Sequence, residues 1–150
     1  MTSAGDQATI VVGYDGREDT AIDEAIRQAK ESGARVVAVV VGNLPVATDP
    51  YGLGSGLGFE AMASIPEGGP AELQPILVAA RERLTAAGVQ GDAVWGIGDP
   101  ASEIIRVAEE THAVRIVVGH HHHSALGKFF GANTDERIQS AAGCDVTVAT

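Results

Sequence analysis

The residues whose types and spacing suit chemistry lie in the segment that starts at Gly119 and ends at Thr134. The segment follows the apolar run 114–118, which has the pattern of a buried strand. It contains the histidine run His120–His123, and a helical pattern begins near its end at Asn133. Glycine lets backbone approach a phosphate closely, and a helix start offers unpaired N–H groups and a positive dipole end. We therefore expect this segment to bind an anion.

The histidine run has three interpretations. Neutral imidazole is a common metal ligand, but four consecutive histidines in a loop have no fixed tetrahedral geometry, and no Cys or carboxylate adjoins them. We therefore predict no metal site. Two interpretations stay open: histidines such as His120 and His122 donate hydrogen bonds to a bound phosphate, or the run forms a solvated polar loop.

Two residues outside this segment, Asp15 and Cys144, have side chains of types that bind ligands or act in catalysis in other proteins. Asp15 follows the first apolar run, in the sequence Tyr14-Asp15-Gly16, where it is either a ligand-binding carboxylate or a turn residue. Cys144 is expected to be a small buried side chain near the last strand, since no base can be placed beside it. Neither an activated nucleophile nor a pair of carboxylates is visible. We therefore predict no catalytic residues and a protein that is not an enzyme.

The composition limits the classes of protein to consider. A chain of 150 residues is long enough for one domain, and an aromatic fraction of only 4% means that Val, Ile, Leu and Ala build its core. The net charge of −10 argues against binding to nucleic acid or to anionic membranes. The single cysteine allows no intramolecular disulfide, and neither a signal peptide nor a membrane span is apparent. We therefore expect a cytoplasmic protein.

Apolar runs of strand length alternate with helical patterns along the chain. The predicted strands are 8–14, 35–41, 92–97, 114–118 and 145–149; the predicted helices start near Asp19 and span 71–87, 100–111 and 133–142. The second strand is a valine run, which is typical of a parallel strand buried on both faces. We predict a single α/β domain over residues 1–150. It is a three-layer, open, doubly wound parallel sheet with strand order 3-2-1-4-5 and two helices on each face.

Two segments fall outside this alternation. We expect residues 1–7 to form a flexible N-terminus and residues 42–70 to form a long loop rich in glycine and proline. The long loop is either a mobile surface insertion or a flap over the ligand end of the sheet.

The predicted strand order gathers the candidate ligand residues at one edge of the sheet. In such sheets ligands bind beyond the carboxyl ends of the strands, where the direction of winding reverses. The reversal falls between strands 1 and 4, next to Asp15 and Gly119, and strand 2 adds Val40 and Val41. A carboxylate, an apolar wall and an anion-binding helix start together suit a nucleotide.

Three stretches resemble the universal stress protein family. They are Val-Gly-Tyr-Asp-Gly at 12–16, Gly-Asp-Pro-Ala-Ser-Glu-Ile-Ile at 98–105, and the strand, loop and helix that end in Ala-Gly-Cys-Asp-Val-Thr-Val at 142–148. The resemblance covers residues 8–149 except the loop at 42–70. It implies the adenine-nucleotide alpha hydrolase-like fold and a homodimer that pairs through strand 145–149. It also implies ATP or AMP as a ligand in some members, with Mg²⁺ only alongside nucleotide, and slow ATP hydrolysis stays compatible with it.

The resemblance also implies a set of ligand-binding residues. Nucleotide-binding members carry Gly-x-x-Gly, nine residues, and then Gly-Ser or Gly-Thr, and only Gly119 of the corresponding positions matches. The family's base-contacting Asp matches Asp15, and its base-packing Val matches Val40, or Val41 if strand 2 is offset by one. The predicted binding set is Tyr14, Asp15, Val40, Val41, Gly119, His120, His122, Ala132, Asn133 and Thr134.

The departures from the motif leave two functions open. His122 places a Cβ where backbone should approach phosphate, Ala132 stands at the third glycine, and Asn133 caps a helix but supplies no hydroxyl. One function is a regulatory protein that binds an adenine nucleotide. The alternative is a dimeric interaction module of the stress response that binds no nucleotide.

Overall fold

A computed structural model describes residues 7–42, 68–119, 137–139 and 142–149 of the chain. Its elements, in chain order, are β1 (Thr9–Gly13), α1 (Thr20–Ser32), β2 (Arg35–Gly42), α2 (Gln74–Ala86), β3 (Gly91–Ile97), α3 (Pro100–Glu110), β4 (Arg115–Gly119) and β5 (Asp145–Ala149). A 3-10 turn at Ala71–Leu73 leads into α2, and residues 137–139, inside the predicted fourth helix, are helical. The predicted flexible N-terminus and long loop lie almost entirely outside the described residues. Every helix within the described ranges is too short or too polar to traverse a lipid bilayer.

The five strands form one parallel sheet in the order β3-β2-β1-β4-β5. The prediction of strand order 3-2-1-4-5 is therefore confirmed. β2 and β1 lie inside the sheet, whereas β3 and β5 are its edges. The valine run of β2 is buried on both faces, as its lack of polar alternation predicted.

Alternate side chains of the strands build two cores. On one face, α1 and α2 cover the sheet with Ile22, Leu77 and Leu84. On the other face, α3 and the helical residues 137–139 cover it with Ile104 and Ile138. Successive strand residues point to opposite faces, so a single strand such as β2 contributes to both cores.

Local sequence signals set several helix ends. Gly33 ends α1 in the left-handed conformation, with φ of 75°. Asp99 caps α3 by accepting a hydrogen bond from the Ser102 N–H, and Pro100 lies in the first turn of this helix. Asp19 does occupy the N-cap position of α1, but its side chain makes no capping hydrogen bond.

Candidate functional site

The carboxyl ends of β1, β2 and β4 form one edge of the sheet, and the strand register decides which residues meet there. Gly13 is opposite Val39, and the Tyr14 N–H donates to the Val39 carbonyl oxygen at 3.0 Å. The registers of β1 with β2 and with β4 put Tyr14 level with Val40 on one side and with Gly119 on the other. The structure thus brings these three predicted residues to one row, with Asp15 following directly.

The two carboxylate oxygens of Asp15 have different surroundings. Oδ1 accepts from the backbone N–H groups of Arg17, at 2.8 Å, and Glu18, at 3.1 Å, which closes the turn after β1. Asp15 is only 9% exposed, and its buried Oδ2 finds no hydrogen-bond donor among the described residues. The turn role and a ligand role are therefore compatible, because each uses a different oxygen.

Gly16 allows the Asp15 turn to pack closely on α2. Its φ is 78°, a left-handed conformation that glycine adopts without steric cost. A Cβ at this position would lie 3.2 Å from the Cγ1 atom of Ile76. The turn that carries Asp15 is therefore supported directly by the first turns of α2.

Tyr14 points into the core beneath α1 and α2. Its hydroxyl donates to Asp19 Oδ1 at 3.2 Å, and Arg83 of α2 donates to Asp19 Oδ2 at 3.1 Å and also to Asp23. Burial and the nearby Asp19 carboxylate raise the pKa of Tyr14 above its ordinary value. Nothing in the sequence pattern pointed to this network. Tyr14 therefore contributes its backbone position, and not its hydroxyl, to the carboxyl edge.

Val40 and Val41 lie on opposite faces of the sheet. Val40 is 1% exposed and belongs to the core under α1 and α2, whereas Val41 is half-buried and packs on the α3 side. Of the two candidates for the base-packing valine, Val41 has surface left for a ligand to cover.

An ion pair joins the start of α3 to the helical residues 137–139. Arg137 donates to both oxygens of Asp99, at 3.0 and 2.7 Å, while Asp99 Oδ2 also accepts from Ser102. These hydrogen bonds, first from Arg137 and then from Ser102, lower the pKa of Asp99 to about 2.

Cys144 lies beside the core of the α3 face and next to the last strand, as expected, but it is half-buried and not fully buried. Burial, together with the Asp145 charge, raises the pKa of its thiol, which keeps the thiol protonated. The other predicted ligand residues, namely His120, His122, Ala132, Asn133 and Thr134, lie outside the described residues. Within the described ranges, no three His, Cys, Asp or Glu side chains gather into a possible metal site.

Comparison with known proteins gives consistent matches. The chain matches the profile of the Universal stress protein family over residues 8–150. It is 27% identical over 149 residues to Universal stress protein YxiE of Bacillus subtilis (strain 168), covering 93% of this chain and 96% of that protein.

Solved structures share the fold at lower identity. Universal stress protein UspA from Lactobacillus plantarum is 19% identical, with a TM-score of 0.71 and coverage of 95% of this chain and 97% of that chain. A universal stress protein in complex with cAMP is 22% identical, with a TM-score of 0.66 and coverage of 95% and 96%.

Proposed function

This chain belongs to the universal stress protein family, and from that premise we propose that it is a regulatory protein that binds ATP or AMP at the carboxyl edge of β1, β2 and β4. The relative in complex with cAMP supports this choice of ligand class. The proposal includes no catalytic step. We also propose a cytoplasmic location, because the single cysteine suits a reducing compartment.

The observation that carries the proposal is the buried Oδ2 of Asp15. A buried acceptor without a donor is costly, so this atom calls for a ligand N–H group. The exocyclic amine of adenine offers one. Guanine presents two adjacent donors that need both carboxylate oxygens, but Oδ1 already accepts from Arg17 and Glu18. Oδ2 of Asp15, which has no donor among the described residues, therefore favours adenine over guanine as the base.

The residues proposed to contact the rest of the nucleotide are chosen by their positions near the carboxyl ends of the strands. Val41 supplies the half-buried apolar surface on which the base packs. Gly119 ends β4 level with Tyr14, where backbone would approach the ribose or phosphates most closely. The predicted phosphate-binding residues are His120, His122, Ala132, Asn133 and Thr134. We propose Mg²⁺ only as a partner of nucleotide phosphates.

The experiment is calorimetric titration of the wild type and of Asp15→Asn with AMP and with inosine monophosphate. Asparagine keeps an acceptor for the turn but presents an amide donor in place of Oδ2. This donor opposes the adenine amine and suits the inosine carbonyl. We expect Asp15→Asn to weaken AMP binding about tenfold or more, and to reverse the wild-type preference for AMP over inosine monophosphate.

The matched control is Asp23→Asn, which removes the same charge from the exposed surface of α1, where Asp23 pairs with Arg83. It should leave both affinities unchanged. An Asp15→Asn variant that keeps the wild-type preference for AMP would refute the proposed base contact.

The second candidate is a dimeric interaction module that binds no nucleotide. It is favoured by the departures from the glycine motif at His122, Ala132 and Asn133. Absence of heat on titration with ATP, AMP and cyclic AMP, with and without Mg²⁺, would select this candidate. For both candidates we propose a homodimer that pairs through β5, whose outer edge has no following strand within the described residues.

A further inference from the structure

The edge strand β3 turns half of its backbone groups away from the sheet. At its two ends, the Gln90 carbonyl accepts from Val36 at 2.9 Å, and the Gly98 N–H donates to Gly42 at 3.0 Å. Alternation along a parallel ladder then directs the even-numbered residues of the strand toward β2. Its odd-numbered residues, which include Ala93 and Trp95, point their N–H and C=O groups outward.

Two side chains form hydrogen bonds with the outward N–H and C=O groups of Ala93. Its N–H donates to Asp92 Oδ1 at 2.7 Å, and its carbonyl oxygen accepts from Arg81 Nη2 at 2.9 Å. Arg81 Nε also donates to the same Asp92 oxygen at 2.9 Å. Burial opposes ionisation of Asp92, but the hydrogen bonds from Arg81 and Ala93 outweigh it and lower the pKa of this carboxyl.

These hydrogen bonds form where another strand would have to pair. Both side chains are exposed, Arg81 to 48% and Asp92 to 66%, so the pair stands at the surface and fills no core space. An exposed edge strand recruits other chains through its unpaired backbone groups, and charged side chains on the edge prevent this. Among the described residues, no side chain hydrogen-bonds to the backbone of β5, the opposite edge.

We propose that Arg81 and Asp92 form an edge guard that keeps β3 from pairing with β3 of a second copy of the chain. The two edges matter together, because two-fold pairing at β3 as well as at β5 would link copies into an open, growing chain. That consequence rests on the proposed β5 dimer. The blocking of β3 by the edge guard does not.

The experiment compares the wild type with the double variant Arg81→Ala/Asp92→Ala by sedimentation velocity over a concentration series. Removing the edge guard frees the Ala93 backbone groups, and the net charge stays the same. We expect the weight-average mass to rise about twofold or more above the wild type as concentration increases. Hydrogen exchange should then show new protection in residues 91–97.

The matched control is Arg106→Ala/Glu110→Ala, which removes an equally exposed ion pair from α3 without touching the β3 backbone. It should sediment as the wild type does. A second variant, Arg81→Met, keeps the aliphatic stem but frees only the Ala93 carbonyl, since Asp92 still accepts from the Ala93 N–H, and it should associate more weakly than the double variant.

The outcomes separate the two proposals. If the wild type is a monomer, the β5 dimer is wrong, and the edge guard then predicts a double variant that dimerises through β3. If the folded double variant keeps the wild-type mass at every concentration, the edge guard is wrong. Association with new protection only at 145–149 would also overturn it.

Discussion

The Asp15 carboxylate uses one oxygen in its own turn and leaves the other for the proposed ligand contact. Its Oδ1 atom accepts two backbone N–H groups of its own turn, and this fixes the rotation of the carboxylate. The second oxygen is thereby held in a buried position with its acceptor capacity unused by the described residues. Such an arrangement prepares an acceptor for a ligand donor before the ligand arrives, because the entropy of ordering the side chain is already lost on folding.

His112 is the described non-glycine residue with a left-handed backbone, with φ of 53°. It follows the end of α3, where the chain turns toward β4 and where glycine is the usual residue. We expect His112→Gly to raise the free energy of unfolding relative to His112→Ala, by about 1 kcal/mol, because only glycine lacks the strained Cβ. Urea unfolding followed through Trp95 fluorescence measures the difference.

Both variants lack the imidazole of His112, so the difference between their stabilities reports only the effect of the Cβ. If the glycine variant has the same free energy of unfolding as the alanine variant, or a lower one, then the left-handed backbone at this position does not strain a residue that has a Cβ.

At the level of elements, the Asp99–Arg137 ion pair is notable because it joins parts of the chain 38 residues apart. Asp99 also caps α3, so one carboxylate both starts a helix and fixes a neighbouring helical segment beside it. The predicted phosphate-binding segment ends where that helical pattern begins. The pair therefore holds the helical residues 137–139, which follow the predicted phosphate-binding segment in the sequence, against the start of α3.

We expect Arg137→Ala to lower the free energy of unfolding only slightly at pH 7, since the pair is exposed to solvent. The folded-state pKa of Asp99 is lowered to about 2 from an ordinary value of 3.8. The contribution of the pair is therefore complete above about pH 4 and is lost as the pH falls toward 2. Urea unfolding at several pH values should show the two proteins converging in this range.

Lys30→Ala is the control, because it removes an exposed cation near the end of α1. Its effect on stability should not change between pH 4 and pH 2. An Arg137→Ala effect that stays constant over the same range would mean that the ion pair with Asp99 is not its cause.

For the whole molecule, the two edges of the sheet differ in what they offer a partner. The β3 edge carries the edge guard, whereas β5 presents the half-buried residues Val146, Thr147 and Val148 beside an outer edge that described side chains leave open. A net charge of −10 keeps copies apart except where a specific edge can pair. This difference between the edges supports the proposed homodimer through β5 over pairing at β3.

In an antiparallel β5 pair centred on Thr147, the two copies of this residue face each other across the two-fold axis. We expect Thr147→Lys and Thr147→Glu each to weaken the homodimer, because like charges then oppose each other. Mixing the two variants should restore a dimer, because opposite charges meet. Sedimentation at micromolar concentration measures all three samples.

The mixture separates a broken interface from a damaged strand, since unfolding of β5 would not be rescued by the complementary variant. Single variants that remain as dimeric as the wild type would rule out β5 as the dimer interface.

The sequence by itself determined the order of the elements and the edge of the sheet at which Tyr14, Val40 and Gly119 lie. The valine run of β2 required burial on both faces, and the alternation of strands with helices left parallel pairing with right-handed crossovers as the consistent topology. These features depend on periodicity and chain connectivity, which are local properties that a single sequence displays.

Only the tertiary structure decided which polar groups meet. Arg81 reaches β3 from α2, Arg83 reaches Asp19 of the loop before α1, and Arg137 reaches Asp99, although each arginine also has acidic residues closer in sequence. Which acidic partner each arginine contacts depends on the rotation of its helix about the helix axis and on how far the long side chain extends. Apolar periodicity determines the helix rotation only coarsely, and it does not determine the conformation of the side chain. For the same reason the sequence identified Asp15 as a candidate, while only the folded turn showed that Oδ2, and not Oδ1, lacks a donor among the described residues.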